Sequence, residues 1–141
     1  MVDTSYAGDV TPKEAWEMLE SESDAILIDV RTPVEWSYVG RPVLDSIRKE
    51  TKLVPWQVAP GAGVNPQFLH DVLALGTGTD APLLLLCRSG VRSVHAAEAL
   101  TGAGFSRCYN VADGFEGGHD SEGHRGRLAG WKASGLPWVQ D

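Results

Sequence analysis

The stretch Leu83-Leu84-Leu85-Leu86-Cys87-Arg88-Ser89-Gly90-Val91-Arg92-Ser93 joins an unbroken apolar run to a short polar loop. An apolar run without alternation is typical of a parallel strand that is covered on both faces of its sheet. After the loop, Val94, Ala97 and Leu100 recur at helical spacing, which predicts a helix that stops near residues 102–104. The stretch therefore predicts a buried strand, a loop that begins with a thiol, and a helix.

The rest of the chain also alternates between helix and strand patterns. Thr11-Pro12-Lys13-Glu14 is a capping box with proline at the first helical position, ahead of a helix that runs to about Ser21. Apolar segments predict strands at 25–30 and 107–111, with a short strand at 53–58 and a helix begun by Asn65-Pro66 between them. This order is typical of an α/β fold, an open, mostly parallel sheet with helices on both faces. Ligands of such folds bind beyond the carboxyl ends of the strands, where Cys87 lies.

The composition is that of one domain. The 141 residues, 43% hydrophobic and 22% charged, suit a single core. We therefore predict one domain over 1–141, with its core at about 11–115, a long loop at 113–130 and a packed tail at 131–139. A formal net charge of -7 argues against nucleic-acid binding.

The N-terminus lacks a signal-peptide pattern, and no stretch approaches the roughly 18 apolar residues of a membrane helix. We therefore expect a cytoplasmic protein that binds no membrane.

The position of Cys87 favours nucleophilic chemistry. Backbone N–H groups at a strand-to-helix turn gather around a concavity, and the helix start adds partial positive charge, which together make an anion cradle. Nearby cations and a helix N-terminus favour a thiolate over a thiol. Gly90 lets the loop turn back on itself, while Arg88 and Arg92 offer planar, permanently charged donors to an oxyanion. In the alternative interpretation, Cys87 only ends a core strand and the arginines are solvated surface charges.

Two further groups of residues are candidates for chemistry. His119 and His124, with acidic residues between them, suggest a metal site, but their spacing matches no common zinc pattern. Cys108 suggests a resolving thiol for an oxidised Cys87, but its place in the apolar segment 107–111 favours a buried strand residue. We therefore expect neither a metal nor another cofactor.

The loop from Cys87 to Arg92 resembles the six-residue active loop of the rhodanese-like sulfurtransferases. Residues 29–36, DVRTPVEW, are similar to the family's segment after its first core strand, and residues 109–114, YNVADG, are similar to its "YNV-x-GG" strand end. The tail of the chain, with GLPW at 135–138, also resembles the corresponding part of this family. Residues 37–43 depart from the family pattern because they lack its His and its Gly-Ala pair, which leaves the path of 37–58 open.

The resemblance implies a persulfide cycle. Cys87 would take a sulfane sulfur from a small anionic donor such as thiosulfate, hold it as Cys–S–SH, and pass it to a thiol or cyanide acceptor. The substrate-binding residues that it implies are Arg88, Ser89, Gly90, Val91 and Arg92. The supporting residues that it implies, which hold the loop and the strand end, are Asp29, Arg31, Glu35 and Ser93.

Two other functions remain open from the sequence. One is a non-catalytic module that uses the cradle to bind an anion or a partner protein. The other is a cysteine-dependent phosphatase or arsenate reductase. Those phosphatases place an arginine six positions after the nucleophile, where this chain has Ser93, whereas Arg92 lies one position too early. The loop is therefore predicted to be too tight for a phosphoryl group.

Overall fold

The computed structural model describes residues 6–57, 63–117 and 129–140. Its strands are β1 (Gly8–Val10), β2 (Ile26–Asp29), β3 (Arg41–Pro42), β4 (Lys52–Leu53), β5 (Leu83–Leu86), β6 (Cys108–Val111) and β7 (Trp138–Val139). Five of them form the main sheet in the order β1-β6-β5-β2-β4, and each neighbouring pair is parallel. The other two, β3 and β7, form a small antiparallel sheet. The carboxyl end of β5 therefore lies between those of β2 and β6.

The helices are α1 (Pro12–Ser21), α2 (Pro33–Tyr38), α3 (Phe68–Leu73), α4 (Arg92–Gly102) and α5 (Gly130–Ala133), with a 3-10 turn at Asp45–Ile47. The capping box that the sequence predicts for α1 is present, since Glu14 N–H donates to Thr11 Oγ1 at 3.1 Å and Thr11 N–H donates to Glu14 Oε1 at 2.8 Å. Among the helices of the described residues, none is long and apolar enough to cross a bilayer.

The four leucines of β5 divide between two cores. Leu83 and Leu85 pack with residues of α3 and α4 on one face of the sheet, and Leu84 and Leu86 pack with residues of α1 and α5 on the other. All four are fully buried. This arrangement confirms the predicted fold class, because successive side chains of a strand point to opposite faces and both faces are covered by helices.

Several short elements differ from the sequence expectation. The sequence does not predict β1, the strand expected at 53–58 is confined to Lys52–Leu53, and α2 and β3 lie within residues 31–52, for which the sequence predicts no element. Strands of two or three residues carry too few side chains to show a period. They form here because a neighbouring strand supplies their hydrogen-bonding partners, as β6 does for β1 and β7 does for β3.

The tail packs against α1. Trp131 is fully buried, lies edge-on to Trp16 with ring centroids 6.0 Å apart, and donates its Nε1–H to Pro137 O at 2.7 Å. Ala129, just before α5, lies against Gly117. A Cβ atom on Gly117 would be only 2.5 Å from Ala129 O. Most of the expected 113–130 loop, with His119 and His124, falls at 118–128 and lies outside the described residues.

Candidate active site

Cys87 follows the last residue of β5 and is only 1% exposed. The loop turns back at Gly90, whose φ of +99° favours glycine. This turn directs Gly90 N–H at Cys87 Sγ, with N and S 3.1 Å apart. The sulfur is therefore the acceptor of a backbone donor from its own loop, immediately before α4 begins at Arg92.

A second turn, at residues 113–116, supports the loop from behind. Phe115 N–H donates to Cys87 O at 2.8 Å and Glu116 N–H donates to Arg88 O at 2.9 Å. The two segments are so close that a Cβ atom on Gly114 would lie 2.4 Å from Cys87 O. Gly114 is not among the site residues that the sequence predicts, although the glycine of YNVADG is a signal for a turn at this position.

Arg92 and Glu35 form a two-point ion pair beside the loop. Arg92 Nη1 donates to Glu35 Oε1 at 2.7 Å, and Nη2 donates to Oε2 at 2.8 Å. Thr32 holds the same carboxylate through its backbone N–H and its hydroxyl, each 3.1 Å from Oε1. Burial opposes ionisation of Glu35, but the hydrogen bonds from Arg92 and Thr32 outweigh it and lower the pKa of Glu35. Both terminal nitrogens of Arg92 thus face Glu35.

Asp29 and Arg31 form a second, fully buried ion pair at the end of β2. Arg31 Nε donates to Asp29 Oδ1 at 2.9 Å, and Nη2 donates to Asp29 Oδ2 and to Gly40 O, both at 2.7 Å. The guanidinium lies 4.3 Å from the ring centroid of Phe115. This pair connects the strand end to the 113–116 turn, which in turn supports the loop.

A chain of hydrogen bonds leads away from the sulfur. Cys87 Sγ lies 3.2 Å from Ser93 Oγ, and Ser93 Oγ donates to Asn110 Oδ1 at 2.5 Å. Asn110 Nδ2 donates to Asp9 Oδ1 at 3.0 Å, and Tyr6 OH donates to the same oxygen at 3.0 Å. Ser93 is among the residues that the sequence predicts, whereas Asn110 and Asp9 are not, because they meet only through the pairing of β1 with β6.

The remaining predicted residues form the rim of the loop. Arg88 and Val91 are exposed, Val91 by 64%, and Ser89 is half-buried. The structure therefore brings Cys87 together with Arg92, Ser93 and the two ion pairs of the supporting residues, and it leaves Arg88 and Val91 facing outward.

Cys108 lies apart from this chemistry. It is a free thiol and fully buried in the core. Burial raises the pKa of Cys108, which keeps it protonated at neutral pH. Among the described residues, no group of three or more His, Cys, Asp and Glu side chains has the arrangement of a metal site.

A family model described as the STR4 middle domain matches residues 7–141. The chain belongs to this family. Among its curated relatives, an uncharacterized protein of Rickettsia conorii is 38% identical over 126 residues, which cover 89% of this chain and 91% of that protein. The thiosulfate sulfurtransferase GlpE of Glaesserella parasuis is 32% identical over 114 residues, which cover 81% of this chain and 88% of GlpE.

Two solved structures resemble this chain over nearly its whole length. The crystal structure of Rv0390 from M. tuberculosis superposes with a TM-score of 0.87 at 48% identity, over 96% of this chain and 99% of that one. The rhodanese-like domain of the Anabaena protein Alr3790 superposes with a TM-score of 0.63 at 17% identity, over 94% and 79% of the two chains. At that identity the second likeness concerns the fold alone, and it shows that this chain has a rhodanese-like fold.

Proposed function

We propose that this protein is a sulfurtransferase that moves a sulfane sulfur from a donor such as thiosulfate to a thiophilic acceptor through a persulfide on Cys87. The observation that carries the proposal is the contact of Gly90 N–H with Cys87 Sγ, 3.1 Å long, inside a loop that begins at the carboxyl end of β5. A backbone donor at that distance stabilises negative charge on sulfur. The similarity to a thiosulfate sulfurtransferase of Glaesserella parasuis supports the same chemistry.

In the first half-reaction, the Cys87 thiolate attacks the outer sulfur of thiosulfate. The sulfur–sulfur bond of thiosulfate breaks, sulfite leaves with the bonding electron pair, and Cys87 carries the transferred sulfur as a persulfide. In the second half-reaction, a thiolate or cyanide attacks that outer sulfur. The persulfide bond then breaks and its electron pair returns to Cys87 as thiolate. The two half-reactions balance without a further oxidant or reductant.

The arginines have different roles in this proposal. Both terminal nitrogens of Arg92 bind Glu35, so Arg92 holds the loop in shape and adds positive potential near the sulfur. Arg88 is exposed at the rim and makes the first contact with an anionic donor. Such local attraction is needed because the whole chain has a formal net charge of -7.

The proposal is tested by incubating the protein with thiosulfate and recording its intact mass. We expect a gain of one sulfur atom, which a reducing thiol removes again. Cys87→Ala is the blank and should gain nothing. Cys108→Ala is the matched control, since its thiol is buried in the core and should not contribute. Absence of the added sulfur from folded wild-type protein, or its presence in folded Cys87→Ala, would contradict the proposal.

A further inference from the structure

The hydrogen bonds that connect Cys87 to Asp9 have a fixed direction. A carboxylate can only accept hydrogen bonds, so the Asn110 group that faces Asp9 Oδ1 at 3.0 Å must be its NH₂. Turning the Asn110 amide over would set its carbonyl oxygen against the carboxylate. Tyr6 OH donates to the same Asp9 oxygen, and this hydrogen bond is the main cause of the raised pKa of Tyr6. Both contacts therefore keep Asp9 Oδ1 an acceptor.

The orientation of Asn110 decides what Ser93 can do. With its NH₂ turned to Asp9, Asn110 presents its carbonyl oxygen to Ser93, and Ser93 Oγ donates its only proton there. Ser93 is fully buried and Asn110 is only 4% exposed, so water does not offer either group an easy replacement partner. The Ser93 oxygen consequently faces Cys87 Sγ with its lone pairs, at 3.2 Å.

An oxygen that offers only lone pairs favours the thiol over the thiolate. It accepts a hydrogen bond from Cys87 S–H, but it repels a negatively charged sulfur. For Ser93 to donate to the thiolate, its proton would have to leave Asn110 Oδ1, which would then be a buried carbonyl without a partner. This influence opposes that of Gly90 N–H and of the Arg92 charge, both of which favour the thiolate.

We propose that Asp9 is a positioning residue that sets the direction of this hydrogen-bond chain, so that through Asn110 a lone pair of Ser93 Oγ, and not its proton, faces Cys87 Sγ. The inference rests on the proposed function only in taking Cys87 as the reacting sulfur. It assigns a role to Asp9, an exposed residue on the edge strand β1, that the resemblance to a family did not imply.

The test compares Asp9→Ala with Asp9→Asn. Both substitutions remove the same charge, but only asparagine keeps an oxygen that can accept from Asn110 and Tyr6. The readout is the pH profile of Cys87 alkylation by iodoacetamide, followed at the Cys87 peptide by mass spectrometry. In Asp9→Ala the Asn110 amide is free to turn, so Ser93 can donate to the sulfur. We expect the profile to move to lower pH, with about 2- to 12-fold more thiolate below the midpoint, the effect of one added hydrogen bond. Asp9→Asn should follow the wild type.

A second comparison shows whether the effect passes through Ser93. In a Ser93→Ala background, Asp9→Ala should no longer move the alkylation profile, because the hydroxyl that carries the effect is gone. Equal shifts in Asp9→Ala and Asp9→Asn, no shift in Asp9→Ala, or a shift that persists without Ser93 would each overturn the proposal. Alkylation needs no sulfur donor, so a failure of thiosulfate labelling would contradict the sulfurtransferase function and leave this inference standing.

Discussion

Arg92 and Glu35 are 57 positions apart in the chain and join the Cys87 loop to the start of α2 through two parallel hydrogen bonds of 2.7 and 2.8 Å. Glu35 also accepts from Thr32, the residue just before α2, so one carboxylate fixes both a helix end and the loop around Cys87. The integrity of the site and the stability of the domain therefore depend on the same contact.

Glu35→Gln should destabilise the protein. It removes the charged acceptor and leaves the half-buried Arg92 guanidinium without a counter-ion, which we expect to lower the free energy of unfolding by about 1.5–3 kcal/mol. Urea denaturation measures the change. Glu98→Gln is the control, because Glu98 is 40% exposed and its contact with His95 is 3.5 Å long. It should change stability by less than about 0.5 kcal/mol. Equal effects of the two substitutions would contradict this reading.

The contribution of Glu35 should disappear in acid. Its pKa is lowered from the ordinary value of 4.5 in the folded protein, so the stabilisation is complete above 4.5 and is lost as the pH falls through the lowered pKa. The difference in unfolding free energy between wild type and Glu35→Gln should be constant from neutral pH down to about pH 5 and shrink below it. Thermal unfolding across this pH range measures it. A difference that stays constant in acid would show that charge on Glu35 is not its source.

Arg92→Ala should weaken the use of thiosulfate more than Arg92→Lys does. Lysine keeps the positive charge near Cys87 but cannot make the two-point contact with Glu35. Loss of one charged hydrogen bond corresponds to about 10- to 150-fold in kcat/KM for the donor, and the lysine variant should fall between this value and the wild type. Steady-state kinetics with thiosulfate and cyanide measure the ratio. Identical donor kinetics in all three proteins would remove Arg92 from the site.

Gly114→Ala should disrupt the loop rather than only strain the backbone. A Cβ atom there would lie 2.4 Å from Cys87 O and 2.6 Å from Arg88 C. Gly76→Ala is the matched control, since Gly76 also has a positive φ but its Cβ would meet nothing within 4 Å. We expect Gly76→Ala to cost about 1–2 kcal/mol of stability with sulfur labelling intact, and Gly114→Ala to cost more and to lose labelling. If thiosulfate adds sulfur to Gly114→Ala as fast as to Gly76→Ala, the close contact of Gly114 with the Cys87 loop does not matter for the site.

Aryl phosphate hydrolysis should be negligible beside thiosulfate sulfurtransferase activity. The loop is one residue shorter than a phosphatase loop, because Arg92 lies five positions after Cys87, and its Gly90 N–H lies 3.1 Å from Cys87 Sγ. We expect such a loop to fit one added sulfur but not a phosphoryl group with three equatorial oxygens. Cys87-dependent arsenate reduction should be absent for the same reason. Both substrates are assayed on one preparation, with Cys87→Ala as the blank. Cys87-dependent phosphate release without a persulfide would move the protein to the phosphatase class.

The elements that the sequence predicts best are those with local signals. The α1 capping box uses residues three positions apart, and the leucines of β5 are adjacent in the chain, so each pattern can be recognised without knowledge of the fold. The fold class follows from them. Glu35 and Asp29 were placed near the site through resemblance to a family, and the structure supplies the contacts that the resemblance left unspecified.

The parts that escaped prediction depend on contacts between distant segments. Asp9 meets Asn110 only because β1 pairs with β6, across 101 positions of the chain. The glycine of YNVADG indicates a turn, but it does not show that the 113–116 turn lies against the Cys87 loop, which is why Gly114 matters. The roles of such residues depend on contacts between segments that are distant in sequence. They can therefore be assigned only from the three-dimensional structure.

The close approach of Gly117 to Ala129 has a consequence for how this domain can diversify. Gly117 and Ala129, the residues on either side of 118–128, lie next to each other. The fold therefore holds the two ends of any connecting segment close together. Doubling the length of a flexible segment between such fixed ends costs only about 0.6 kcal/mol. Its sequence and size can therefore drift, or be exchanged by grafting, while the Cys87 loop stays intact.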